Sequence, residues 1–165
     1  MGFFDRFFGK TGTNKKDLIY APVAGQVVSL TEVPDPVFAE GMLGNGVAIL
    51  PTDGKVYAPA DGVVSTMFDT GHAVSITSSN GAEILIHVGL ETVELEGKPF
   101  TVHVRNDEKI KKGQLLLEVD LQAVEAAGLP TITPVIICNS DEYAVFRSVT
   151  GETATNADVV IELVK

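Results

Sequence analysis

Short Val-, Ile- and Leu-rich runs, broken every eight to twelve residues by Gly, Pro, Asn or Asp, dominate this chain. They read "GQVVSL", "GVAILP", "GKVYAP", "DGVVSTMF", "HAVSITSSNG", "AEILIHVG", "QLLLEVD", "PVIICN" and "VVIELVK". Segments of that length cannot form helices that bury a face, and their even spacing predicts an all-β sandwich or barrel. The expected fold is a compact antiparallel β-sandwich or barrel with only short helices. One helix is predicted over residues 121–128, ended by Gly128 and Pro130, and a weak helical turn over "PVFAEGM". Two segments echo each other: Ala21-Pro22-Val23-Ala24-Gly25 and Ala58-Pro59-Ala60-Asp61-Gly62 both lead into a valine-rich strand. "KIKKGQLLLEVD" adds a third Gly-then-strand unit. The period is too irregular for a solenoid, so the echoes imply pseudo-duplication inside one fold.

At 165 residues and 45% hydrophobic content, the chain suits one domain with a sizeable core. The formal net charge of −10 argues against a nucleic-acid backbone as partner. Cys138 is the only cysteine, so no internal disulfide framework exists. "TPVIICN" predicts a buried thiol that acts as a small hydrophobe. No apolar stretch reaches the roughly 20 residues that cross a bilayer, and no secretory signal is apparent, so the expected location is the cytoplasm.

Residues 1–17 differ in kind from the domain expected over 18–165. Phe3, Phe4, Phe7 and Phe8 fall on one helical face, followed by a tether, "TGTNKKD". Two readings stand side by side. One is a disordered tail, or a helix packed on the domain. The other is an amphipathic foot for peripheral membrane contact through residues 1–10.

His72 and His87 carry the chemistry. A chain with three histidines places two of them in apolar strands joined by "SSNG". A four-residue loop pairs Thr77 with Ala82 and sets His72 opposite His87. A two-residue Asn80-Gly81 turn pairs Val74 with His87 and leaves His72 one diagonal step away. Either even loop puts both rings on one sheet face; an odd loop would separate them. A single histidine in an apolar strand is more often a core residue than a ligand. Two titratable rings side by side cost desolvation and repulsion, which a core has no use for and a site does. Such a pair can converge on a metal ion or on a phosphoryl group. For metal, two ligands are too few, and a third would come from His103, Asp69, Glu91 or Asp141. A zinc-dependent hydrolase, with zinc bridging His72 and His87, is the alternative reading. A biotin or lipoate carrier is a third, with Lys55 the only lysine near a suitable turn. For phosphoryl transfer the pair suits the chemistry: a neutral nitrogen attacks phosphorus while its neighbour stabilises developing charge.

At these residues the chain closely resembles the glucose-type enzyme IIA of the bacterial phosphoenolpyruvate-dependent sugar phosphotransferase system. "TGHAVSITSSNGAEILIHVGLETVELEGKPF" carries the resemblance, which extends from "IYAPVAGQVVSL" through "VPDPVFAEGMLGNGVAI" to "TPVIICNSDE". It implies that His87 accepts a phosphoryl group on Nε2 from the phosphocarrier HPr and passes it to the enzyme IIB domain of a sugar permease. No cofactor is implied beyond that covalent group. It implies that His72 supports the transferred group, that the Thr70 hydroxyl orients His72, and that the Gly89 carbonyl fixes the ring of His87. It further implies a shallow apolar docking surface at Val37, Phe38, Met42, Leu43, Phe68, Leu85 and Val93, rimmed by Asp35, Glu91 and Asp141. Glu91 stands where aspartate is common in the family, Pro36 stiffens the docking segment, and His103 is read as surface. In some members the unphosphorylated form regulates other transporters and enzymes; such targets depend on the host.

Overall fold

A computed structural model describes residues 16–165. Residues 1–15, and with them the phenylalanine foot, lie outside the described residues. Among the described residues, fourteen strands form three antiparallel sheets. The eight-stranded sheet takes β13 (Thr153–Ala154), β2 (Gly25–Ser29), β3 (Asn45–Pro51), β11 (Thr133–Ile137), β7 (Glu83–His87), β6 (Ala73–Ser78), β5 (Gly62–Met67) and β9 (Lys109–Ile110), in that order. One three-stranded sheet is β1 (Lys16–Tyr20), β14 (Val159–Val164), β12 (Val145–Ser148). The other is β4 (Lys55–Tyr57), β10 (Leu115–Val119), β8 (Phe100–Val102). The chain is thus all-β, and every strand expected from the apolar runs is present. The five not foreseen (β1, β8, β9, β12 and β13) are short or carry charges inside. β1 also begins at Lys16, taking in two residues assigned to the tail.

The large sheet is covered on both faces, which is why its central strands read as unbroken apolar runs rather than alternating ones. Val27, Val47, Ile49, Val135, Ile137, Ile84 and Ile86 point into the main core. The residues between them, Val28, Ala48, Ile136 and Leu85, point the other way into a second cluster. Leu30, Val33, Phe38, Leu90 and Ile132 roof that second face. Part of the roof is one helical turn, α1 (Pro36–Ala39). Its N-cap Asp35 accepts from the Val37 amide at 3.0 Å, and Pro36 occupies the first turn, where its missing N–H costs nothing. The longer helix, α2 (Leu121–Ala126), begins at Asp120, whose carboxylate accepts from Ala123 N at 3.2 Å.

The sequence echo has a structural counterpart. Tyr20 N donates to the Pro59 carbonyl at 2.9 Å, and Tyr57 N donates to the Pro22 carbonyl at 2.7 Å, so the two Tyr-Ala-Pro segments clasp each other. The strand order of the large sheet reads the same way from either end when β2 is exchanged for β5, β3 for β6, β11 for β7 and β13 for β9. The two small sheets exchange likewise, β1 for β4, β14 for β10 and β12 for β8.

Candidate functional site: a paired-histidine centre

β7 ends at His87, on the same face as Leu85 and therefore on the roofed side of the sheet. The β6–β7 register overturns both expected loops. Thr77 pairs with Glu83 and Ala73 with His87, leaving a five-residue connection, an odd count. Ser78 holds this loop. Its Oγ accepts from Ala82 N at 2.9 Å and donates to the buried Asp17 carboxylate at 2.7 Å. Strict alternation would then send His72 to the opposite face. It does not apply, because β6 begins at Ala73 and His72 lies just before it, after Gly71 at φ +74°. A residue beyond the strand is free of the pleat. The two rings meet, with centroids 5.2 Å apart and planes at 78°.

Each ring is held from behind. His87 Nδ1 donates to the Gly89 carbonyl at 2.7 Å. A carbonyl only accepts, so the proton sits on Nδ1, and the neutral ring keeps its lone pair on Nε2. Gly89 is at φ +76°, and a Cβ there would stand 2.7 Å from Thr92 Cγ2 and 2.8 Å from the Pro130 carbonyl. The position requires glycine for both reasons. His72 Nδ1 hydrogen-bonds the Thr70 hydroxyl, and Val88 N donates to the His72 carbonyl at 2.7 Å, tying the two histidine segments together.

Burial lowers the pKa of both imidazoles below 6.5. For His72 the neighbouring His87 adds to that effect. For His87 the Gly89 carbonyl and the Asp35 carboxylate oppose it. The net result favours neutral rings, the form with a nucleophilic nitrogen.

Of the surface residues expected around the pair, Val37, Met42, Leu43, Phe68 and Val93 are exposed, Met42 the most at 69%. Glu91 is exposed in a left-handed conformation at φ 58°. Phe68 stands edge-on to His72 with centroids 5.3 Å apart. Four expectations change. Phe38, expected in the exposed patch, is only 6% exposed and packs in the second cluster, its ring 5.1 Å from that of His87. Leu85 is half-buried against the same cluster, since it points under the roof. Asp141 is exposed and follows β11, whose last residue pairs with Ile84, so it enters at the Glu83 end of β7 rather than the His87 end. Cys138, expected buried, is exposed because it lies one residue past β11. His103 Nε2 pairs with Glu118 at 2.8 Å, away from the histidine centre in chemistry and in partner.

Among the described residues, no group of three or more His, Cys, Asp or Glu is placed to hold a metal ion. The zinc hydrolase reading therefore has no ligand set there. No helix of the described residues is long and apolar enough to cross a membrane.

A half-buried imidazole with a free Nε2, beside a second imidazole on an all-β frame, defines a histidine-based group carrier. Residues 17–143 match the family described as the phosphoenolpyruvate-dependent sugar phosphotransferase system, EIIA 1. The chain is 43% identical over 158 residues to the glucose-specific EIIA component of Bacillus anthracis, covering 96% of each. It is 48% identical over 132 residues to the β-glucoside-specific EIIBCA component of Dickeya chrysanthemi, covering 80% of this chain but only 21% of that longer protein. The solved glucose permease IIA from Mycoplasma capricolum superposes with a TM-score of 0.80 at 34% identity, over 98% of this chain and 99% of that one. The chain belongs to the EIIA 1 family and is a phosphotransferase component that carries a phosphoryl group on histidine.

Proposed function

We propose that the phosphoryl group is carried on Nε2 of His87, arrives from HPr and leaves to the IIB domain of a sugar permease. The observation that carries this reading is the hydrogen bond from His87 Nδ1 to the Gly89 carbonyl, which leaves Nε2 as the ring's lone-pair nitrogen. In the loading step that lone pair forms the new N–P bond. The bond from phosphorus to the donor's histidine breaks, and its electron pair stays on the donor imidazole. No proton is consumed. His72 acts from the side: with the Thr70 hydroxyl donating to its Nδ1, its Nε2 carries the proton and donates to a phosphoryl oxygen as charge spreads there. The β-glucoside-specific EIIBCA relatives, which join A to B and C components, support a IIB partner. The exposed apolar side chains Val37, Met42, Leu43, Phe68 and Val93, with Asp35 and Glu91 at the margin, suit transient docking.

Incubation with phosphoenolpyruvate, enzyme I and HPr should add one acid-labile, base-stable phosphoryl group, read by intact mass. His87→Ala should abolish it, and an acid-stable label on serine or threonine would overturn the assignment. His72→Gln should still be loaded by HPr yet deliver poorly to IIB. Full delivery by that variant would remove His72 from the mechanism.

A further inference from the structure

Four aromatic rings stand in a row: Phe38, His87, His72 and Phe68, with successive centroids 5.1, 5.2 and 5.3 Å apart. The two end members differ. Phe68 is 38% exposed, while Phe38 is 6% exposed. We infer that Phe38 is a positioning residue for His87, whose buried ring walls the imidazole so that Nε2 faces the incoming phosphoryl group. The inference rests on His87 as the acceptor.

Three observations carry it. The first is contact: the Phe38 ring meets the His87 ring at 57°, a tilted packing that blocks one rotation of the imidazole. The second is rigidity at the wall itself. Phe38 sits on a capped, proline-started turn and is packed among Leu30, Val33, Ala48 and Ile136. The third is a shared peptide. The Gly89 carbonyl that holds Nδ1 and the Leu90 amide belong to one peptide unit, and that amide donates to the Pro130 carbonyl at 3.1 Å. Leu90, 4% exposed, packs in the cluster of Phe38. Loss of the phenyl ring would therefore loosen both the wall and the acceptor that set the plane of the imidazole. Phe68, bordered by solvent, touches only His72 among the two histidines and has no such hold on the nucleophile.

The test separates orientation from docking. Phe38→Leu keeps apolar bulk and removes the flat ring. Imidazole nitrogen NMR across pH and rapid-mixing transfer from phospho-HPr are compared for the wild type, Phe38→Leu and Phe68→Leu. In Phe38→Leu the His87 titration should move up toward 6.5, because the burial that lowers it outweighs the Gly89 hydrogen bond that raises it. Its transfer rate at saturating phospho-HPr should fall roughly tenfold to a hundredfold, as misaligned reacting groups do, with the half-saturating concentration nearly unchanged. Phe68→Leu should do the reverse, raising the half-saturating concentration and leaving the His87 titration alone. Phe38→Tyr, which keeps the ring, should restore the rate. A Phe38→Leu protein with wild-type titration and saturated rate, altered only in half-saturation, would overturn the inference and make Phe38 a docking residue. If Phe38→Leu folds poorly, Phe38→Met is judged by the same readings. Wild-type protein loaded on a residue other than His87 would overturn the acceptor assignment instead, a result visible before any variant is measured.

Discussion

The two pseudo-symmetric halves of the large sheet share a backbone and differ in what they display. Gly25 pairs with Pro51 and its echo Gly62 with Ser78. Six residues back along each partner strand stand Asn45 and His72. Across the next ladder, Ile49 pairs with Thr133 and Ile76 with Ile84; three residues further on stand Ile136 and His87. The counterpart of the histidine pair is thus an asparagine and an isoleucine. Ile136 is wholly buried beneath the roof, whereas His87 emerges at its margin, touched by Phe38 on one side and half-open on the other. The same strand ends carry buried core in one half and the paired imidazoles in the other. What separates them is where the roof stops and whether a glycine carbonyl is placed behind the ring.

The harshest way to break this comparison is to furnish the bare half. Ile136→His puts a polar ring under a roof with no open edge. It should cost about 3 kcal/mol in denaturant unfolding, and in a His87→Ala background it should accept no phosphoryl group. Acceptance there would show that the frame alone suffices. Gly89→Ala strikes the furnished half instead. Its methyl group must displace Thr92 or the Pro130 carbonyl and occupy a left-handed backbone. Expected are a loss of about 2 kcal/mol in stability and a saturated transfer rate lower by roughly a hundredfold. A normal rate per folded molecule would detach the carbonyl from catalysis. Met42→Asp tests the rim: its melting temperature should hold, while the half-saturating HPr concentration rises about tenfold, since few apolar anchors carry such an interface.

The smallest effect concerns pH. Both imidazoles have pKa values below 6.5 in the fold. Between the folded and unfolded values the unfolded chain binds more protons, so stability rises with pH in that window and declines as pH drops below about 6.5. His72→Gln removes one such group, and its urea midpoint should vary less between pH 7 and 5 than that of the wild type. An equal or steeper slope in the variant would mean that His72 contributes no such penalty.

Strands were legible because their apolar runs are long and well punctuated. The histidine pair was legible because two such rings are out of place in a core. The route by which they meet was not. Period-two alternation demanded an even loop, and the chain instead uses an odd one with His72 set just beyond the strand. Phe38 and Cys138 were misjudged for a related reason. Where a sheet is covered on both faces, polarity no longer alternates, so burial depends on how far a roof or a strand extends. β1 was hidden by Lys16 and Asp17, whose charges are answered by Glu162, at 3.1 Å from Lys16, and by Ser78, residues 61 positions or more distant in sequence.

That pairing of β1 with β14 also governs the order in which the molecule can be finished. β1 has no strand partner until residues 159–164 exist, roughly 140 residues of synthesis later. At typical elongation rates of about 5–20 residues per second, that wait is on the order of ten seconds. During it the strand is an unpaired edge on a nascent chain, the kind of edge that recruits other strands. The charges of Lys16 and Asp17 then serve a second purpose, keeping that edge hydrated until its partner arrives.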